Sequence, residues 1–302
     1  MVFEKLALIG CGLMGGSFAL AAKEAGLVKR VSGYSRSAQS AQRAQALGVV
    51  DTVAATAEQC VQGADLVLLA VPVASTEATL RSLLPGLAPH ALVMDVGSTK
   101  QDVVLAAQAA LGERMAQFVP AHPICGKEVA GIEHADAKLY QHQQVILTPL
   151  PCHAQATLAQ ASQVWRRLGC RVRELAPALH DQALAAVSHF PHMMAFAFMH
   201  SLMAQPEGEQ FLALGGPGFR DSTRIAAGDA DLWCDVLLAN SGPVLAQAQG
   251  LRRALTELEG LVQRQDRTAL RGLIAQVSQR RVDWRMAGDI APPPPPPSSP
   301  AD

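Results

Sequence analysis

The stretch Lys5–Leu20, KLALIGCGLMGGSFAL, constrains this chain more than any other. It opens on a short apolar run, Leu6-Ala7-Leu8-Ile9, of the length and composition of a buried parallel strand. Gly10, Gly12 and Gly15 then form G-x-G-x-x-G, and an apolar helical pattern begins at once. In such a strand–turn–helix each glycine has a separate reason. Gly10 permits the tight turn, Gly12 lets a pyrophosphate approach the backbone, and Gly15 lets the helix lie close to the strand. The helix N-terminus adds free N–H groups and a partial positive charge. Leu13 and Met14 share that turn, and they are counted with the three glycines as cofactor-contacting positions.

The chain beyond this stretch alternates in the same way. Val31–Tyr34, Leu66–Ala70 and Ala91–Asp95 read as further strands, with helices at Ala38–Leu47, near Ser75–Leu84 and at Gln101–Leu111. The pattern predicts a Rossmann-type α/β fold, a doubly wound parallel sheet. Its loops at the carboxyl edge, including Val71-Pro72, are expected to touch the cofactor. An apolar strand then runs from Phe118 into His122, which is expected just past its end. Strands are also expected at Gln144–Thr148 and Cys170–Leu175, with a helix at Ala154–Leu168 between them. From Pro177 onward only helical patterning remains. Asp181–Met203 is apolar all round, as a helix buried in a domain or a dimer would be, and Pro191 predicts a kink near His189. The division expected is a dinucleotide-binding domain over 1–175, an all-helical substrate and dimerisation domain over 176–288, and a proline-rich disordered tail over 289–302.

The dinucleotide's ribose is read at the end of the second strand. An acid for a 2′-hydroxyl is expected there in an NAD enzyme, and this chain has Ser35-Arg36-Ser37 instead. A cation between two hydroxyls suits a 2′-phosphate, so NADP is expected over NAD. A formal net charge of -1 gives no reason to expect nucleic acid or an anionic membrane surface. No apolar run reaches a membrane span, and a strand begins too early for a signal peptide. The six cysteines show no metal or framework spacing and are expected as free thiols of a cytoplasmic protein, with no metal site.

Three residues carry candidate chemistry. His122 has the pKa range of a general base for an alcohol being oxidised; the other reading is a structural histidine capping a turn. Ser98, in Gly97-Ser98-Thr99-Lys100, orients that base or the alcohol, or caps the helix at Gln101. Arg224 holds a carboxylate bidentately, or pairs with Asp221 or Asp229. His189 and His192 form a second imidazole cluster with no acid or thiol spaced for metal ligation.

Five motifs occur in order: the glycine loop, Asp95–Lys100, Ala121-His-Pro-Ile-Cys-Gly126, Ser188-His-Phe-Pro-His192 and Gly218–Arg224. Together they resemble the prephenate/arogenate (cyclohexadienyl) dehydrogenase family of tyrosine biosynthesis, from about Lys5 to Trp284. Cys125 stands where that family usually has a small alanine. The resemblance implies NAD(P)-dependent oxidative decarboxylation of prephenate to 4-hydroxyphenylpyruvate, or of arogenate to tyrosine, by a homodimer. It implies His122 as proton acceptor, Ser98 holding it in line, and Arg224 on a substrate carboxylate with Arg220, His189 and His192 in support. Two alternatives are a 3-hydroxyacid-type dehydrogenase and an NADP-binding sensor without chemistry. The first needs a lysine in the helical region, and none occurs after Lys138.

Overall fold

A computed structural model describes residues 2–127 and 129–285; the expected tail lies outside the described residues. Strand β1 (Phe3–Ile9) leads through the glycine turn into helix α1 (Leu13–Glu24). Then come β2 (Val28–Tyr34), α2 (Ala38–Ala46), β3 (Thr52–Val53), α3 (Ala57–Val61), β4 (Leu66–Leu69), α4 (Thr76–Leu83), β5 (Leu92–Asp95), α5 (Gln101–Leu111) and β6 (Phe118–Val119). The six strands form one parallel sheet in the order β3-β2-β1-β4-β5-β6. This is the doubly wound arrangement expected, with its switch point between β1 and β4, where a crevice opens beyond the carboxyl ends. Burial alternates with the pleat. Leu6 and Leu8 of β1 pack with Leu66 and Leu68 of β4 in the core that holds Phe18 of α1. Ala7 and Ile9 pack with Val67 and Leu69 against Leu80 of α4 and Val103 of α5. The continuous apolar runs are strands covered on both faces.

A second, three-stranded sheet was not foreseen. It comprises β7 (Ala121–Ile124), β8 (Gln144–Leu147) and β9 (Arg171–Glu174), with β7–β8 antiparallel and β8–β9 parallel. Helix α6 (Gln155–Arg167) joins its last two strands, and Trp165 packs edge-on against Phe18 and Tyr140. The expected single strand through His122 is therefore two strands in two sheets. Val119 ends the ladder against Met94, and Ala121 begins a new one against Leu147. Pro120 between them has no N–H to extend the first ladder. Its carbonyl accepts the Thr148 N–H at 3.0 Å. His122 thus lies within a strand, opposite Ile146, rather than beyond one.

The remaining described residues are helical: α7 (Pro177–Leu184), α8 (Phe190–Met203), α9 (Gly208–Ala213), α10 (Pro217–Thr223), α11 (Ala230–Ala239), α12 (Ser241–Gln263) and α13 (Arg267–Asp283). The expected kink is a π-helical turn, Ala185–His189, which ends one residue before α8 and its Pro191. Such turns concentrate at functional sites. The apolar surface of α8 is only partly covered: Ala195 alone is buried, while Met194, Phe198 and Met203 are exposed. The chain divides into two compact units, Met1–Ala248 and Gln249–Asp302. The candidate active site lies wholly in the first. No described helix is long and apolar enough to cross a membrane.

Candidate active site

A cleft of about 740 Å³ opens at the carboxyl edge of the parallel sheet. Gly10, Gly12, Ser35, Arg36, Ser37, Val71 and Pro72 line it, together with Arg43 and Glu133. The glycines divide their work in a checkable way. Gly10 has φ +103, and a Cβ there would lie 2.2 Å from the Ala70 carbonyl oxygen. At Gly15 a Cβ would lie 2.3 Å from the Gly10 carbonyl oxygen, which fixes how closely α1 approaches β1. Gly12 has no protein atom within 4 Å of a Cβ, yet it lines the cleft, so a side chain there would occupy ligand space alone. Helix α1 starts with no side-chain cap and no acid in its first turn, leaving its N–H groups for an anion. These features fit a dinucleotide pyrophosphate. Leu13, Met14 and Gly15 do not line the cleft. Leu13 is buried, and the Met14 carbonyl accepts the Tyr140 hydroxyl at 2.7 Å, so the Leu13 side chain and the Met14 carbonyl hold the turn, while the N–H groups of these positions are the ones that begin α1.

The glycines give a first prediction. Gly12→Val should leave the fold and thermal midpoint nearly unchanged and abolish dinucleotide binding, read by fluorescence titration of the reduced cofactor. Gly10→Val should fail to give soluble folded protein, because its Cβ meets backbone in a strained conformation.

The second cluster is built around the end of β5. Leu69 pairs with Asp95, so Asp95 stands level with the strand end that feeds the cleft. The Asp95 carboxylate accepts the Gly97 and Ala121 N–H groups at 2.8 and 2.9 Å and the Lys100 ammonium at 2.5 Å. Both partners of this ion pair are buried. A Cβ on Gly97 would lie 2.8 Å from Asp95 Oδ2 and 3.4 Å from Lys100 Nζ, so only glycine admits the pair.

Helix α5 is capped from afar. Neither Ser98 nor Lys100 caps it with a side chain. Instead Asp181 of α7 accepts the Lys100 N–H on Oδ1 and the Gln101 N–H on Oδ2, each at 2.8 Å. A buried carboxylate, rather than the serine cap that is one of the two readings of Ser98, thus sits at the positive end of the helix. Asp181 Oδ1 also lies 2.8 Å from His180 Nδ1, and His180 Nε2 lies 2.9 Å from His122 Nδ1. His122 Nδ1 is therefore partnered by His180, a residue the sequence reading does not single out.

Burial lowers the His122 pKa well below the ordinary histidine value, and nearby His180, Lys100 and His189 push it the same way. His122 is a neutral imidazole at working pH. Burial would raise the Asp181 pKa, but the hydrogen bonds from His180, Gln101 and Lys100 outweigh it and hold the carboxyl low.

His189 sits on the π turn, almost fully buried, with Nδ1 2.9 Å from the Asn240 amide nitrogen. Asn240 also donates to the Asp181 carbonyl at 2.8 Å. Burial drives His189 down to about 4, with His180 and His192 adding to the effect and Asp181 opposing it. It is neutral, and through Asn240 it is tied to the Asp181 backbone. His192 is half-buried and stacks on Trp233 at 3.5 Å between centroids, its Nδ1 2.9 Å from the Ser188 carbonyl. Burial lowers the His192 pKa; the Ser188 carbonyl opposes this, and Arg224 adds to it, which puts that cation within its electrostatic reach. Arg220 forms an exposed ion pair with Asp221, and Asp229 caps α11 through the Leu232 N–H. Among the described residues no cluster of three or more His, Cys, Asp or Glu is placed to hold a metal ion. Sequence reasoning missed His180, Asp181, Asn240 and Arg43.

The nucleotide-binding domain of prephenate dehydrogenase matches residues 18–174, and its dimerization domain matches 176–276. A cyclohexadienyl dehydrogenase of Zymomonas mobilis is 31% identical over 96% of this chain and 99% of its own length. The structure of a prephenate dehydrogenase from Aquifex aeolicus, in complex with hydroxyphenyl propionate and NAD+, superposes with a TM-score of 0.86 at 33% identity, covering 93% of this chain and 98% of that one. A Synechocystis arogenate dehydrogenase gives 0.79 at 28% identity, covering 92% and 99%. The chain belongs to the prephenate dehydrogenase family.

Proposed function

We propose that this member of the prephenate dehydrogenase family oxidatively decarboxylates a cyclohexadienyl substrate, prephenate or arogenate, in the site around His122, using NADP in preference to NAD. The observation that carries the reading is a buried, neutral His122 held against His180 in β7, the strand that follows the parallel sheet whose cleft accommodates a dinucleotide.

The substrate's ring carries a hydroxyl and a carboxylate on opposite carbons. His122 accepts the hydroxyl proton on Nε2, the ring nitrogen that does not face His180. Bound in the cleft, NADP would supply the hydride acceptor. Removing the proton raises electron density on the carbinol carbon, from which the hydride would leave for the bound cofactor; the ring carboxylate departs as carbon dioxide, the ring becomes aromatic, and its phenolate oxygen takes the proton back from His122. Ser98, on the loop after β5, is assigned a hydrogen bond to the substrate hydroxyl. Arg224 binds a substrate carboxylate, with His192, held flat on Trp233, and Arg220 beside it. A buried dianion needs such partners. His189 is assigned the supporting role its burial dictates.

The cofactor preference rests on the end of β2, where no acid stands. Arg36 is exposed at the cleft, Ser37 caps α2 by accepting the Ser40 N–H, and Arg43 comes later on that helix, paired with Glu133. Arg36→Ala should lower kcat/KM for NADP by about 10- to 100-fold, the worth of a charged hydrogen bond, and leave NAD nearly unaffected. We assign the protein to the cytoplasm. It works as a homodimer, its copies joined through the helical region, where Phe198, Met203 and Leu238 stay exposed on the single chain.

Initial rates with prephenate and arogenate, each with NAD and NADP, test the whole reading. Reduction of cofactor with either substrate supports it, and the cofactor ratio decides the 2′-phosphate assignment. No turnover with either substrate would overturn the function and leave only the fold.

A further inference from the structure

We propose that His180 and Asp181 form a relay that sets the tautomer of His122 and leaves its Nε2 free to take a proton. The inference rests on His122 as the proton acceptor of the proposed reaction. It adds residues that touch neither cofactor nor substrate, so both are positioning residues.

Every proton position in the relay is dictated by the carboxylate at its end. Asp181 is ionised, because three hydrogen bonds hold its pKa low against burial. An ionised carboxylate only accepts, so the proton facing it must sit on His180 Nδ1, 2.8 Å away. In the proposed relay His180 carries this one proton, so that its other nitrogen, Nε2, is a lone pair. That lone pair faces His122 Nδ1 at 2.9 Å. One of two facing nitrogens must donate, so His122 carries its proton on Nδ1. Its Nε2 is left as a lone pair, which is what a general base requires. Without the relay, a buried imidazole exchanges between two tautomers, one of them unable to accept the proton.

The surroundings make the relay rigid. Asp181 is fixed by the two N–H groups that begin α5, and its own carbonyl accepts from Asn240. His122 is fixed by the β7–β8 ladder and by the Asp95 carboxylate on Ala121. All three relay side chains are buried, so water does not supply an alternative partner. The arrangement extends the catalytic-triad logic by one imidazole: a carboxylate orients a histidine, and that histidine orients the base.

The test combines long-range ¹H–¹⁵N spectra of histidine-labelled protein with steady-state kinetics on wild type, His180→Met and His180→Gln. The wild-type spectrum should show His122 protonated on Nδ1 with a bare Nε2. His180→Met removes the acceptor. It should populate the other His122 tautomer and lower kcat by about 10²-fold or more, with KM within about threefold, as expected when a base is held in the wrong tautomer. His180→Gln places an amide oxygen near the lost Nε2 and should recover the Nδ1 tautomer together with much of kcat. A wild-type His122 protonated on Nε2 would overturn the relay whatever the variants do. So would a His180→Met enzyme with wild-type kcat. The spectroscopic arm needs no turnover, so an enzyme inactive on both substrates would count against the proposed function while the relay is still decided by the spectra.

Discussion

Replacing His122 with Asn lowers kcat by about 10²–10⁴-fold with either substrate, the cost of losing a positioned general base, while cofactor affinity is unchanged. The separation is expected because His122 lies at the start of the second sheet, whereas the cleft is lined by the ends of β1, β2 and β4. The side-chain amide can still donate to His180, so no buried acceptor is orphaned and the fold survives. The pH profile makes the prediction specific to a base in this environment. Burial, then His180, Lys100 and His189, push the His122 pKa down. A base must be neutral to act, so activity is lost only as pH falls through the lowered value. The acidic limb of kcat/KM for wild type should therefore lie clearly below pH 6.5, the ordinary histidine value. In the Asn variant that limb should disappear from the residual rate. A wild-type limb at or above 6.5, or a variant within a few-fold of wild type, would remove His122 from the proton-accepting role.

The sequence exposed this site unevenly, for physical reasons. The glycine turn and the strands around it were legible because each rests on short-range requirements: a φ of +103 at Gly10, apolar runs covered on both faces, and helices starting within a few residues. His122 and Ser98 were legible as polar residues in a strongly patterned setting. His180 and Asp181 were not, because their role is made by a contact across about 80 residues. Asp181 caps the helix that begins at Gln101, and nothing near position 101 announces that its cap lies on another helix. One trace existed: His180-Asp181-Gln182 is a polar run inside a short helix that is otherwise apolar, and polar groups that become buried demand partners. The switch between sheets at Pro120 had a trace too, since proline has no N–H to give the β5–β6 ladder. The apolar run around it masked that signal.

Lys100→Met should destabilise the protein by about 3–5 kcal/mol, the cost of stranding one member of a buried ion pair. Lys100 is wholly buried, and its ammonium meets a carboxylate that is itself 4% exposed. Removing the cation leaves Asp95 with only the Gly97 and Ala121 N–H groups to compensate its charge. The Met side chain fills much of the lysine stem, so the loss reads the charge rather than a cavity. The consequences extend beyond stability because Asp95 holds Ala121, the residue before His122. Urea unfolding should show a lower midpoint with an unchanged slope, and the surviving folded enzyme should show reduced kcat. A double variant, Asp95→Asn with Lys100→Met, separates pairing from burial. The amide oxygen still accepts an N–H and no net charge remains to be compensated, so the double variant should be more stable than Lys100→Met alone. That sign of coupling is the signature of a buried pair. If the double variant is instead as unstable as the sum of the two single changes, the ion pair is not what holds the loop after β5, and the placement of His122 must rest on the β7–β8 ladder alone.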